Sequence, residues 1–145
     1  TFVERLDAGG EAPLERGIEE FLTRHVGKGV AIVISDFLTF GSIPRGLNRL
    51  FSAGLDILGI QILGPSEIEP EPSGDTRLTD CESGTTLDIS ASADLLAIYH
   101  EHREAFAREL ATLCQQRQGR FVAVSSADPL DWVLLDLLRR KGWLE

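Results

Sequence analysis

Asp36 is the residue whose position points most directly to chemistry. It follows the continuous run Val30-Ala31-Ile32-Val33-Ile34 and Ser35, and α/β proteins gather their ligand sites at the carboxyl ends of such strands. A carboxylate there can help hold a hard cation, accept a phosphoryl group or meet a partner. It can equally cap the loop that follows by accepting backbone N–H bonds. Ser125, Ser126 and Asp128 stand at the matching end of Phe121-Val122-Ala123-Val124. Asp128 precedes Pro129 and reads first as a helix cap, with proline at the first helical position. Acidic residues also cluster at Glu67, Glu69, Glu71, Asp75, Asp80 and Glu82. Such a cluster is ordinarily a solvated rim; the alternative is a docking surface for a basic partner, with Glu67, Asp80 and Glu82 as its candidates.

Other chemistries fail on spacing. His100-Glu101-His102 resembles a metal motif, but residues two apart on a helix point about 200° apart and cannot share an ion. His25 falls near a helix end, where it favours the dipole. No serine or cysteine is matched with a histidine near a strand end, so no hydrolase triad can be assembled. Gly27-Lys28-Gly29 lacks the spacing of a phosphate-binding loop. Cys114 falls near an apolar stripe and reads as a small core residue, whereas Cys81 lies in a polar segment.

Composition narrows the partners. The 145 residues carry a formal charge of −9, which repels phosphate backbones and anionic lipid and argues against nucleic acid and membrane surfaces. No apolar run approaches the roughly 20 residues that span a bilayer, so no membrane insertion by this segment is expected. The amphipathic start, Thr-Phe-Val-Glu-Arg-Leu-Asp, lacks the form of a signal peptide. Two cysteines are too few for a disulfide scaffold and fit a reducing, cytoplasmic compartment, with the intact protein allowed a membrane association. Methionine is absent even from position 1, which leads to the expectation of an excised fragment. A hydrophobic content of 43% in one domain of this length supports a real core.

The elements that position these residues follow from periodicity. Leu14, Ile18, Phe21 and Leu22 predict a helix over residues 13–26, and Leu47, Leu50 and Phe51 predict one over 43–53. Leu96, Tyr99, Phe106, Leu110 and Leu113 predict a long helix over 93–118. A last helix opens at Asp128-Pro129 and runs through Leu134, Leu137 and Leu138 to Gly142. The apolar runs at 30–35, 57–63 and 121–125 predict strands buried on both faces. Pro65, Pro70 and Pro72 break regular structure, and residues 76–89 read as a polar-tipped β-hairpin. Strands separated by helices give a three-layer α/β fold, with a parallel sheet of three strands and the hairpin inserted. The leading helix should itself return from an earlier strand, so the arrangement reads as the second half of a doubly wound domain.

Three stretches then carry a resemblance to a known family. Val33-Ile34-Ser35-Asp36-Phe37-Leu38, Gly64-Pro65-Ser66-Glu67-Ile68-Glu69 and the segment from Ser73 to Gly84, with Tyr99 and Ser125-Ser126-Ala127-Asp128-Pro129-Leu130, resemble the bacterial "domain of unknown function 58" group. The resemblance spans nearly the whole chain. It implies a single von Willebrand factor type A-like domain, here its C-terminal portion, and a partnership with a MoxR-type AAA+ ATPase. In such folds a divalent cation sits at the strand ends, and the resemblance places Asp36 on one ligand position. The aspartate-x-serine-x-serine motif that supplies the first ligands is missing, and Glu11 follows Gly9-Gly10 where a threonine is expected. One carboxylate does not make a magnesium site, so no cofactor is expected for this chain, and magnesium only in the intact protein.

The expected function is therefore a protein-interaction or adaptor module rather than an enzyme. The alternatives are a receiver-like phosphoacceptor using Asp36, a divalent-cation-dependent ligand-binding domain in the intact protein, or a small α/β enzyme. A receiver also needs an acidic pair and a lysine at its last strand, where Ser125 stands instead. The resemblance further implies that the strand 30–34 has lost its sheet neighbour, and unpaired dry N–H and C=O groups cost about 1–3 kcal/mol each. Either the segment from Thr1 to Leu6 covers that edge, or the chain forms a homodimer with Val30 to Ile34 pairing edge to edge, which is the expectation preferred.

Overall fold

Strands that are apolar at odd and even positions alike must find cover on both faces of a sheet, and the three such runs of this chain pair with one another. The computed structural model describes residues 13–39, 41–71, 74–79, 84–90 and 93–143. The elements in order are α1 (Leu14–Arg24), β1 (Gly29–Ser35), α2 (Ile43–Ser52), β2 (Leu55–Leu63), α3 (Pro65–Ile68), β3 (Asp75–Thr79), β4 (Thr86–Ser90), α4 (Ala93–Gln115), β5 (Arg120–Ser125) and a last helix, α5, around Trp132–Leu138. The main sheet is parallel in the order β1-β2-β5, and β3 and β4 form a separate antiparallel hairpin.

Register sorts the side chains onto two faces. Ala31 pairs with Ile57 and Gly59 with Phe121, whereas Ile34 pairs with Ile60, which pairs with Val122. The first set faces α1, α2 and α4, where Ile18, Leu47, Leu50, Leu55, Ile57, Leu110 and Cys114 form the main core. Val122 and Val124 on the second face are covered by Val133, Leu137, Leu138 and Trp143 from the last helix and its end. Both crossovers, through α2 and through α4, lie on the first face and advance the sheet in one direction, as connections of a single hand require.

Local chemistry sets the boundaries. Ser42 Oγ accepts from Arg45 N–H at 3.3 Å and starts α2 with Pro44 in its first turn. A β-carbon on Gly46 would stand 2.9 Å from Ile18 Cδ1, so glycine lets α1 and α2 approach. α4 closes where Gln118 turns into the left-handed region and Gly119 N–H reaches Cys114 O at 2.8 Å. Gly119 presses on the sheet: its β-carbon would meet Ile57 O at 2.8 Å.

Several details differ from the sequence reading. β1, expected to be buried on both faces, leaves Val30, Ile32 and Ile34 exposed on one of them. The short α3 forms where Pro65 was read as a breaker, because proline suits the first helical turn. Phe51, expected to face inward with Leu47 and Leu50, is 44% exposed. The last helix is wound as a π-helix over Trp132–Leu138. Val133 and Leu138, five residues apart, would point about 140° apart in an α-helix; the wider i→i+5 winding brings them onto one buried face. Leu134 is consequently turned outward.

Gly119→Ala should cost about 1–3 kcal/mol through overpacking against Ile57, seen as a lower urea midpoint with an unchanged slope. Burial pushes the Cys114 thiol from its ordinary 9.0 up to about 11, with the Arg117 cation opposing. The folded chain thus holds this proton after the unfolded chain has released it. Stability from this group is complete below pH 9.0 and is lost as pH rises to about 11. Urea midpoints between pH 8 and 11 should fall more steeply for the native chain than for Cys114→Ala.

Candidate functional site

The carboxyl ends of β1, β2 and β5 bring together most of the residues singled out above. At the end of β1, Ser35 Oγ accepts from Phe37 N–H at 3.0 Å and Asp36 Oδ1 accepts from Leu38 N–H at 2.9 Å. These two bonds fold the chain back within three residues and place Phe37 at φ 62, a region bulky side chains rarely adopt. The left-handed backbone costs about 1–2 kcal/mol. Burying the Phe37 ring, edge-to-face with Phe121 at 6.0 Å, returns about 1.5–3 kcal/mol, so the turn holds.

Gln61 ties this loop to the central strand. It is the one buried polar side chain of the described core, and its Nε2 donates to Asp36 O at 2.9 Å. Its Oε1 has no hydrogen-bond partner among the described residues. Sequence reasoning passed over Gln61 within an apolar strand. The signal was there: a lone amide amid Ile57-Leu58-Gly59-Ile60 and Ile62-Leu63 must bond something fixed.

The neighbouring strand ends are closed in the same way. Glu67 Oε2 accepts from Gly64 N–H at 2.5 Å, so this carboxylate caps α3. Tyr99 of α4 donates its hydroxyl proton to Glu67 O, and desolvation first, then the Glu67 charge, raises its pKa. Asp128 Oδ2 accepts from Ser125 N–H at 2.9 Å. It therefore reaches back to the strand rather than forward to the helix it was read as capping. Ser125 Oγ accepts from Ala127 N–H at 3.2 Å. His100 has its ring edge-to-face with Tyr99 and 3.8 Å from Glu69, apart from the exposed His102. Asp36, Glu67, Ser125 and Asp128 thus share one edge, each engaged with backbone. Glu11, Asp80, Cys81 and Glu82 lie outside the described residues.

A second surface was not singled out as a site. Val30, Ile32 and Ile34 of β1 are 57%, 58% and 61% exposed, on the face where α5 covers β5 and Ile60 of β2. Leu38, Ile62 and Leu134 are also exposed. The hairpin adds an exposed cross-strand pair, Leu78 with Leu87, beside the ion pair of Arg77 and Asp88 at 2.6 Å. Asp88 is held below its ordinary pKa by that guanidinium.

A parallel sheet with helices on both faces, closed at its carboxyl edge and open along one strand, defines an α/β domain. The chain belongs to the family described as "Protein of unknown function DUF58", which it matches over residues 6–125. It is 31% identical over 91 residues to an uncharacterized protein of Mycobacterium avium, covering 63% of this chain and 53% of that protein. It is 33% identical over 104 residues to an uncharacterized protein of Mycobacterium tuberculosis, covering 72% of this chain and 30% of that one. The chain thus spans about half or less of these relatives. A solved structure, an uncharacterized membrane spanning protein from Vibrio fischeri, aligns over 88% of this chain and 54% of its own with 13% identity and a TM-score of 0.37. Among the described residues of the present chain, no helix is long and apolar enough to cross a membrane.

If Asp36 serves the turn through Oδ1, Asp36→Ala should destabilise by about 1 kcal/mol, while Asp36→Asn, which keeps an acceptor there, should lose less than half of that. Equal losses for both in urea denaturation would assign the stability to charge instead.

Proposed function

We propose that this chain is a protein-docking module, an adaptor rather than a catalyst. The observation that carries the reading is the apolar stripe Val30, Ile32 and Ile34, which lies where a parallel sheet normally keeps a helix. An amphipathic helix of a partner is the occupant that fits, its apolar side on the stripe. With a net charge of −9 on this chain, the partner's flanks would be basic. The family resemblance makes a MoxR-type AAA+ ATPase the first partner to test. The acidic residues Glu67, Asp80 and Glu82, clustered in the sequence, would then serve encounter and orientation rather than the central contact.

The carboxylates at the strand ends support a structural role. Asp36, Glu67 and Asp128 each accept a backbone N–H, which occupies an oxygen that a cation or a phosphoryl donor would need. Magnesium requires several oxygens in a near-octahedral array, so binding by this chain is proposed to be weak or nil. Calorimetric titration should show no tight stoichiometric heat. Tight binding abolished by Asp36→Ala would restore the cation-site alternative.

The docking reading is tested with purified MoxR-type ATPase and labelled chain in fluorescence anisotropy. Ile34→Asp, at an exposed position, should leave the melting curve nearly unchanged and weaken binding about tenfold or more. Binding by the native chain that is untouched by Ile34→Asp would remove the stripe from the interface. Absence of binding by the native chain would remove this partner.

A further inference from the structure

A buried side-chain amide carries both a donor and an acceptor, and a single peptide group beside it can answer only one of them at a time. Gln61 is in that position. Its Nε2 donates to Asp36 O at 2.9 Å, while Phe37 N–H, from the same peptide group, donates to Ser35 Oγ at 3.0 Å. Gln61 is only 2% exposed, yet its Oε1 has no partner among the described residues. Ser35 and Ala123 flank it in register. Alanine has no side-chain donor, and the Ser35 hydroxyl is directed to Asp36 Oδ1 at 3.4 Å. Gln61 lies on β2, which is paired on both sides, so its amide is out of reach of any surface contact.

The peptide group has a difficulty of its own. Phe37 is held at φ 62, in the left-handed region that bulky side chains disfavour. An orphaned acceptor and a strained residue thus stand at the two ends of one hydrogen bond, and one movement relieves both.

We propose that the Asp36–Phe37 peptide is a two-position switch that turns over against the Gln61 amide. In the second position Phe37 N–H points inward, where the Asp36 carbonyl had been, and donates to Gln61 Oε1. A peptide unit is planar and turns as one body. Compensating changes in ψ of Asp36 and φ of Phe37 therefore suffice, and the Phe37 ring stays in the core. The turn carries φ of Phe37 from 62 to about −120°, inside the β region open to any residue. The Gln61 amide follows by rotating about χ3, a broad and roughly two-fold torsion.

The two positions balance for a physical reason. The present one has two hydrogen bonds and a strained backbone. The second has one of these bonds fewer, a relaxed backbone and the Asp36 carbonyl on the open side. Asp36 is an exposed residue, so that carbonyl meets water rather than being left dry. One half of the Gln61 amide is used in either position.

The consequence lies at the carboxyl edge of the sheet. In the second position Asp36 O joins the Asp36 carboxylate on the open side, and Ser35 Oγ is released from Phe37 N–H. A cationic, hydrogen-bond-donating group such as a lysine ammonium binds that form better. It draws the loop over to the extent of that difference in affinity. The switch itself does not depend on the docking reading above.

Amide relaxation dispersion on the 145-residue chain should show exchange at the Phe37 N–H and the Gln61 side-chain amide with one common rate. The intraresidue HN–Hα contact of Phe37, shortest in left-handed residues, reports which position dominates. Ser35→Ala removes the acceptor that holds Phe37 N–H in the present position and nothing that the second position uses. It should raise the population of the second position about tenfold and weaken that contact. A change that only loosened the fold would not move φ of Phe37 while the rest of the spectrum stayed native. An HN–Hα contact as strong in Ser35→Ala as in the native chain overturns the switch. So do native amides without common exchange, a measurement that needs no substitution. A long-lived water found at Gln61 Oε1 overturns it as well, because the acceptor would then already be satisfied.

Discussion

Strand β2 pairs on both sides, with β1 and with β5, and carries apolar side chains to both layers. Ile57 and Leu55 anchor the face under α2 and α4, while Ile60 joins the cluster beneath α5. A parallel strand in this position has no route to its neighbours except through crossovers, and each crossover must carry an apolar face down onto the sheet. The close approaches at Gly46 and Gly119 follow from that demand. So does the winding of the last helix, which must cover Val122 and Val124 with residues spaced five apart.

The demand is met unevenly among the described residues. Helices α1, α2 and α4 close one face completely enough to bury Ala31, Val33 and Leu47. Among the described residues the other face receives α5 alone, over β5 and Ile60 of β2. Isolated exposed apolar residues are common on protein surfaces; the row of three along β1 is the patch on which the docking proposal rests. The carboxyl edge of the sheet shows the opposite pattern, with its polar side chains spent on local backbone. Asp36, Glu67 and Asp128 there fasten loops by accepting backbone N–H bonds.

Much of this was legible in the sequence because it rests on near-range patterns. The three apolar runs and the hairpin signal act within a few residues. What was not legible depends on winding or on distant contact. The sequence reading traced the last helix through Leu134, Leu137 and Leu138 and did not name the buried Val133, because nothing in the local sequence announces a π-helix. Asp128-Pro129 carries a helix-start pattern, yet the carboxylate turns to Ser125 because that strand end holds a free N–H within reach. Gln61 was missed since its partner, Asp36 O, is brought to it only by the pairing of β1 with β2.

The hairpin of β3 and β4 lies between β2 and β5 in sequence, yet takes no place in the main sheet. Pairing Leu58 with Arg120 already requires closing a long stretch of chain, and the entropy of closure grows only with the logarithm of its length. Doubling or halving such a stretch changes the cost by only about 0.6 kcal/mol. The segment between α3 and α4 could therefore lengthen or shorten while the sheet scarcely registers it, so the stability of the sheet does not account for the residues from Ser73 to Gly84 that carry the family resemblance.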